Sequence, residues 1–467
     1  VDENSRAIAD FAAGHAFADI SPAAVAATLR HHLDGLGCAA GGFASEPVAI
    51  ARAMAGLATM PGGCTVFGLE RPSTPEYAAF ANGCAVRHLD YNDTYLAGKG
   101  GGGHPNDMAP ALFAAVEMAG GSGRDLINAI YIGYEIFGAI CNAIRLRGKG
   151  IDQGASIGIA TAAATARIFG LDAKGIATAV ALAIVPATPV RVTRAGELSH
   201  WKGCATAHAA MTGIFAARLA KAGMSGPEDP FTGVDGFCNL SGPFTLKDIG
   251  RHAGGPSAIE ETAFKFFPSE FNSQGPITLL LEMRKDFDPA DIVALRIASY
   301  HLTWHEIGGG QGDRAEKWDP RTRESADHSL PFLAAVALLD GAVTLDSFAQ
   351  ARVTDPALRP LMQQIEVVED PAYSEHWKRT SEPRNRIEVT LRDGRRLVRE
   401  VTNFRGHQRN PMSAEEVQAK FDSMIGYVLE PDHARRFRDR LCALDGQETL
   451  AALAADLRAW RPLRSVR

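Results

Sequence analysis

Through the first half of the chain, apolar residues recur at helical spacing and polar ones mark the breaks. Ser21-Pro22 supplies an N-cap and a first-turn proline ahead of a helix running towards Leu36. Thr74-Pro75 repeats the device for a helix ending near Leu89. Further helical stretches follow at 126–146, at 158–169, at 176–185, which stops before Pro186, and at 202–220. Many inward positions are alanine. Small side chains let helices approach closely, so a compact helical bundle is expected.

After about residue 262 the period shortens. Val293, Leu295 and Ile297 alternate with other residues as on one face of a strand. Ile387, Val389 and Leu391 alternate again, and Asp393-Gly394 then turns the chain into a strand from Leu397 to Val401. A helical segment, 331–339, lies between them. Ser413-Ala414-Glu415-Glu416 is a capping box that restores helical character towards the C-terminus. The expected fold is mainly α. A large all-helical domain comes from both chain ends, 1–262 plus 402–467, and a smaller α+β domain, 263–401, is inserted. No internal repeat is evident.

Composition narrows the function more than the fold. At 467 residues the length suits two domains, and 46 % hydrophobic residues is ample for a core. A net charge of −6 argues against a nucleic-acid partner, yet a small anion needs only a few local cations. The seven cysteines include no CxxC pair, so neither a disulfide framework nor a protein-held iron–sulfur cluster is expected. The most membrane-like stretch, 126–146, carries Asn128, Glu135 and Asn142 and reads as a buried helix rather than a membrane span. Val1-Asp2-Glu3-Asn4 opens without a basic-then-apolar signal pattern, and the expected location is cytoplasmic.

Four stretches could carry chemistry. Arg87-His88-Leu89-Asp90-Tyr91-Asn92-Asp93-Thr94, with His104-Pro105-Asn106-Asp107 downstream, gathers carboxylates, a hydroxyl and a histidine at a helix end and a loop. A solvated turn with capping aspartates is the alternative. The intervening run Gly98-Lys99-Gly100-Gly101-Gly102-Gly103 lacks phosphate-loop spacing and reads as a mobile lid, and no dinucleotide fingerprint occurs elsewhere. His200-Trp201-Lys202-Gly203-Cys204 places a lysine at the start of an apolar helix, where a cation is disfavoured unless an anion joins it. A surface lysine is the alternative. Lys265 sits among Phe264, Phe266 and Phe267, and either a substrate carboxylate or Glu270 could balance it. His301 and His305, four apart, have zinc-like spacing, but the preceding segment alternates as a strand and HExxH is absent, so no metal site is expected.

The order of these motifs resembles one family. The stretch from Arg87 to Thr94 with His104-Pro105-Asn106-Asp107 resembles the MmgE/PrpD signature, LDFNDT followed by HPSDN. Trp201-Lys202-Gly203-Cys204-Ala205 resembles its WKG(C/W)A segment, and Pro268-Ser269-Glu270-Phe271 with Gln274 its PAEF-x-x-Q segment. Arg323-Glu324-Ser325-Ala326-Asp327-His328-Ser329-Leu330-Pro331-Phe332 is similar to its RETADHSLPY run, and the likeness continues to Gly406-His407-Gln408-Arg409-Asn410-Pro411.

The resemblance implies a cofactor-independent lyase that dehydrates 2-methylcitrate or a related small polycarboxylate, working as a homodimer at a cleft between the domains. It implies Asp90, His104, Lys202 and Lys265 as catalytic residues and Thr94, Asp152 and Gln274 as substrate contacts. Where family members commonly have a histidine, this chain reads Gly150-Ile151-Asp152-Gln153. A decarboxylase of the cis-aconitate type, an iminodisuccinate-type epimerase and a non-catalytic helical binding protein are the alternatives. Removing a proton beside a carboxylate builds further negative charge there, which fixed cations stabilise most in the transition state. Lys202 and Lys265 are expected in that role, with His104 and Asp90 moving protons and Thr94 holding a substrate carboxylate.

Overall fold

The computed structural model describes residues 1–97, 101–186, 188–196, 198–247, 249–250 and 255–464. The chain is mainly helical and divides into two compact units. One comprises Val1–Arg191, Gly203–Thr262 and Ser413–Ser465; the other contains Val192–Lys202 and Ala263–Met412.

In the first unit the helices begin where the local chemistry sets them. Ser21 accepts a hydrogen bond from Ala24 N to open the helix Pro22–Gly42. The helix Pro75–His88 starts on its proline alone, because the Thr74 hydroxyl makes no cap hydrogen bond. The long apolar helix is Gly123–Ala143, begun by a Ser122–Asp125 capping box three residues before the first apolar position read from the pattern. By length and composition it could cross a membrane, and 78 % of its most apolar window is buried inside the protein. Close packing of small residues holds the bundle together. A β-carbon added to Gly213, on the helix Ala205–Lys221, would lie 2.8 Å from the Gly158 carbonyl oxygen and 3.0 Å from Ala162 N. Both chain ends contribute to this core: Trp460 is fully buried, and its ring lies 4.9 Å from Phe67 and 5.9 Å from Phe43. The unit is not purely helical. A strand runs Thr59–Cys64, and Tyr95–Leu96 pairs antiparallel with Gly102–Gly103.

The second unit is built on a four-stranded sheet. Ile292–Ser299 pairs parallel with Ile365–Glu369 and antiparallel with Arg384–Leu391, which pairs antiparallel with Arg396–Thr402. Leu295, Ile297, Ile387, Val389 and Leu391 pack with the buried helix Leu330–Asp340 in one hydrophobic core. Val293, expected on that face, is instead 48 % exposed. The register shifts between Ile292 and Ala294, and such a bulge turns the residue to the other face. Arg396, Arg399 and Glu400 line the last strand, and charges of this kind keep an edge from pairing further.

Two segments fall differently from the boundaries expected from sequence. Residues 192–202 cluster with the second unit rather than the helical one, and that unit runs on to Met412 rather than ending at 401. The extension has a local cause. Phe264 N donates to the Gly406 carbonyl at 2.9 Å, tying the Gly406–Pro411 turn to the segment that carries Lys265. Gly406 has φ 98°, and a β-carbon there would sit 2.4 Å from the Phe264 carbonyl oxygen, so only glycine fits.

Candidate active site

In the first unit the chemistry begins where the helix Pro75–His88 stops. Asp90 holds a left-handed backbone, φ 50°, which is uncommon for a residue other than glycine and is found most where function demands it. Its Oδ1 accepts from Arg87 Nη1 at 2.6 Å, and both side chains are 2 % exposed. Arg87 Nε also lies 3.6 Å from Asp107 Oδ2, while Asn92 Nδ2 donates to Asp107 Oδ1 at 2.8 Å. The segment from Asp90 to Thr94 is therefore fixed by its own side chains. It is not the solvated turn that was the alternative reading.

His104 stands against this segment. Its Nδ1 lies 2.6 Å from the Asp93 carbonyl oxygen and 3.3 Å from Thr94 Oγ1. A carbonyl only accepts, so Nδ1 carries the hydrogen, and the lone pair of the neutral ring belongs to Nε2. Nε2 lies 4.0 Å from Asp90 Oδ1. An imidazole with a fixed tautomer beside a carboxylate is suited to moving protons.

A deeper layer holds the pair in place. Tyr134, from the Gly123–Ala143 helix, donates to Asp93 Oδ2 at 2.6 Å. Burial, with Asp93 beside it, pushes the Tyr134 phenol well above its ordinary range, so it stays a neutral donor. His31 Nδ1 lies 3.4 Å from the same carboxylate oxygen, and Asn106 Nδ2 donates to the His31 carbonyl at 2.6 Å. Lys420, from the C-terminal helix Ala414–Ile425, donates to the Tyr91 carbonyl at 2.7 Å and pairs with buried Asp34 at 2.7 Å. Burial raises the Asp34 carboxyl, and Lys420 pulls it back. Asp93 lies within the stretch quoted from sequence but was given no role of its own, and Tyr134 and Lys420 were not singled out. Their polar groups sit in otherwise apolar or distant segments, and nothing local marks them.

Asp152 and Gln153 share a place with unequal roles. Asp152 is fully buried, and its Oδ1 accepts from Gly154 N at 3.1 Å, turning the chain into the helix Gly154–Ile168. Gln153 is the residue that reaches His104: its Oε1 accepts from His104 N at 2.7 Å. The lid expected from the glycine run falls partly on residues 98–100, outside the described residues. The run's last two glycines, Gly102–Gly103, pair with Tyr95–Leu96 as a short antiparallel ladder.

In the second unit Lys202 does not open a helix, as its spacing suggested. It lies in the short 3-10 turn His200–Gly203, ahead of the helix Ala205–Lys221. Lys202 therefore offers no helix-terminus site for an anion, and at 2 % exposed it is not a surface lysine. Its Nζ donates to Asp327 Oδ1 at 2.5 Å. The same oxygen lies 2.6 Å from His328 Nδ1, and Arg323 Nη1 is 3.5 Å from Oδ2. Asp327 and His328 were quoted from sequence without a role. The signal available was a charged pair directly ahead of the apolar helix Leu330–Asp340.

Lys265 is fully buried in the same unit, in the segment that the Gly406 turn supports. Glu270 accepts from Asn272 N at 2.6 Å and from Asn272 Nδ2 at 2.7 Å. Gln274, expected to meet substrate, spends its amide on the loop after Lys265. Oε1 accepts from Phe266 N and Phe267 N, each at 2.9 Å, and Nε2 donates to the Phe267 carbonyl at 3.0 Å. It clamps the backbone that presents the lysine. His301 and His305 lie on a helix, His301–Ile307, and not on a continuation of the strand. Their rings stack 5.0 Å apart, and His301 Nδ1 lies 3.0 Å from Glu369.

A helical unit closed by both chain ends, with an α+β unit inserted, defines a mainly helical protein of N- and C-terminal parts. The chain belongs to the MmgE/PrpD family: the family's N-terminal domain matches residues 6–245 and its C-terminal domain residues 267–445. Over 387 residues it is 26 % identical to cis-aconitate decarboxylase of Homo sapiens, covering 77 % of this chain and 74 % of the relative. Over 366 residues it is 28 % identical to 2-methylcitrate dehydratase of Escherichia coli (strain K12), covering 75 % of each. Over 396 residues it is 26 % identical to the mitochondrial 2-methylcitrate dehydratase of Yarrowia lipolytica, covering 81 % of this chain and 75 % of the relative.

Proposed function

We propose that the protein is a lyase that dehydrates 2-methylcitrate or a closely related small polycarboxylate to an unsaturated acid. One observation carries the reading: Lys202 and Lys265 are buried ammonium groups of one unit, 2 % and 0 % exposed. Asp327 already meets Lys202 at 2.5 Å, and fixed cations of this kind stabilise the further negative charge that builds on a polycarboxylate as it loses a proton. Relatives that carry the name 2-methylcitrate dehydratase support the choice of substrate.

In this reading the lysines stabilise the carboxylate beside the carbon that loses its proton, where charge builds up. His104 and Asp90 form a proton-transfer pair, and Thr94 holds a substrate carboxylate. Gln153 and Gln274 position backbone around His104 and Lys265. Asp152 acts through the turn that places Gln153. The chemistry needs no organic cofactor or metal, because the charge that develops is carried by side chains. We place the enzyme in the cytoplasm as a homodimer. Light scattering that reports a monomer would remove the dimer, and activity abolished by a chelator and restored by a metal would remove the cofactor-independent mechanism.

The test is to incubate the purified protein with 2-methylcitrate, citrate and cis-aconitate. New ultraviolet absorbance from a conjugated double bond supports dehydration. Release of carbon dioxide from cis-aconitate would favour decarboxylation, the reading that the human relative supports.

A further inference from the structure

We propose that His328 is the base that removes the carbon-bound proton, with Asp327 as its positioning residue. The inference rests on the dehydration proposed above and deepens it. Asp327 Oδ1 receives two donors, Lys202 Nζ at 2.5 Å and His328 Nδ1 at 2.6 Å. Asp327 is fully buried, and the His328 side chain is 11 % exposed. An ionised carboxylate only accepts, so Nδ1 carries the hydrogen and the lone pair of the neutral ring belongs to Nε2. A carboxylate fixing the tautomer of an imidazole and stabilising it once protonated is a recurrent arrangement for general bases.

The location decides the role. The C–H bond to be broken is one bond from a substrate carboxylate, and the cation that stabilises the charge on that carboxylate must lie beside the base. Lys202 and His328 share a single oxygen atom, which sets an ammonium and an imidazole side by side. The backbone is fixed as well: the Asp327 carbonyl accepts from Glu270 N at 3.0 Å, and Ser329 caps the helix that follows by accepting from Phe332 N at 3.1 Å.

The step balances. His328 Nε2 takes the proton, and the C–H electron pair becomes the second bond of the alkene. The C–O bond breaks, and the departing hydroxyl takes a proton from solvent and leaves as water. His328 then returns its proton to solvent, and the net products are the alkene and water.

Two substitutions test the assignment in the full-length protein. In His328→Asn the amide nitrogen replaces Nδ1, keeping the bond to Asp327 and removing Nε2. General-base loss predicts a fall in kcat of about 10²–10⁴-fold with the circular dichroism unchanged. In His328→Ala, added imidazole should restore turnover in proportion to its free-base concentration. A folded His328→Asn enzyme within about threefold of wild type would overturn the proposal. So would a loss in His328→Ala that imidazole fails to restore, because a merely structural histidine gives that result. Wild-type protein that leaves 2-methylcitrate, citrate and cis-aconitate unchanged overturns the dehydratase reading itself, and the proposal with it.

Discussion

Tyr134→Phe removes one oxygen from the layer beneath His104 and nothing else. The hydroxyl donates to Asp93 Oδ2 at 2.6 Å, with Tyr134 1 % and Asp93 0 % exposed. A hydrogen bond to a buried charged group is worth about 1.5–3 kcal/mol. The other groups near this carboxylate are more distant: His31 Nδ1 at 3.4 Å and Asn106 N at 3.3 Å. A loss of about 2 kcal/mol in unfolding free energy is therefore expected, read from the urea midpoint at unchanged m-value. The Asp93 carbonyl is what orients His104, at 2.6 Å from Nδ1. A residue freed to turn misplaces the imidazole, and kcat should fall about tenfold, the equivalent of ~1.4 kcal/mol, with KM little changed. If the variant keeps both wild-type stability and wild-type kcat, the Tyr134–Asp93–His104 chain is no support for the site, and the positioning argument fails.

Three further outcomes follow from the geometry. Lys202→Met leaves the buried Asp327 carboxylate without its ammonium, so stability should drop by about 3 kcal/mol along with turnover; equal stability to wild type in urea would show that the pair is unimportant. Gly213→Ala forces a β-carbon to within 2.8 Å of the Gly158 carbonyl and should cost about 1–3 kcal/mol in a thermal melt, whereas an unchanged melt would contradict the tight helix contact. Burial holds His32 and His407 down to about 4, against 6.5 for an ordinary imidazole. Between those values the unfolded chain binds more protons than the folded one, so stability is present above about pH 6.5 and lost as pH falls towards 4, by up to about 3 kcal/mol for each histidine. His32→Asn should flatten the fall in urea midpoint, and an identical pH profile would exclude His32 as a contributor.

What the sequence made legible was local. Ser21-Pro22, the Ser413–Glu416 box and the Asp393-Gly394 turn act within a few residues, so their elements lie where the pattern puts them. The resemblance in the 87–94 and 104–107 stretches pointed to Asp90, Thr94 and His104, and these three gather in the first unit. Pairings across long stretches of chain left no local trace. Lys202 meets Asp327 125 positions away, and its place in a 3-10 turn broke the helix-terminus reading. Gln274 looked like a substrate contact because a polar side chain stood in a functional motif. Its amide turned out to satisfy backbone groups of a buried loop, a demand invisible without the fold. Val293 was misplaced by a single-residue register shift, and one residue is enough to reverse a strand's faces.

Dehydration of a polycarboxylate can be followed by proton NMR of a reaction containing 2-methylcitrate alone. An unsaturated tricarboxylic acid should form as 2-methylcitrate declines, with no carbon dioxide released, and a folded His104→Asn variant should form it at least about a hundredfold more slowly. Unchanged 2-methylcitrate in the presence of folded wild-type protein, or equal product from the wild type and His104→Asn, would contradict dehydration at this site.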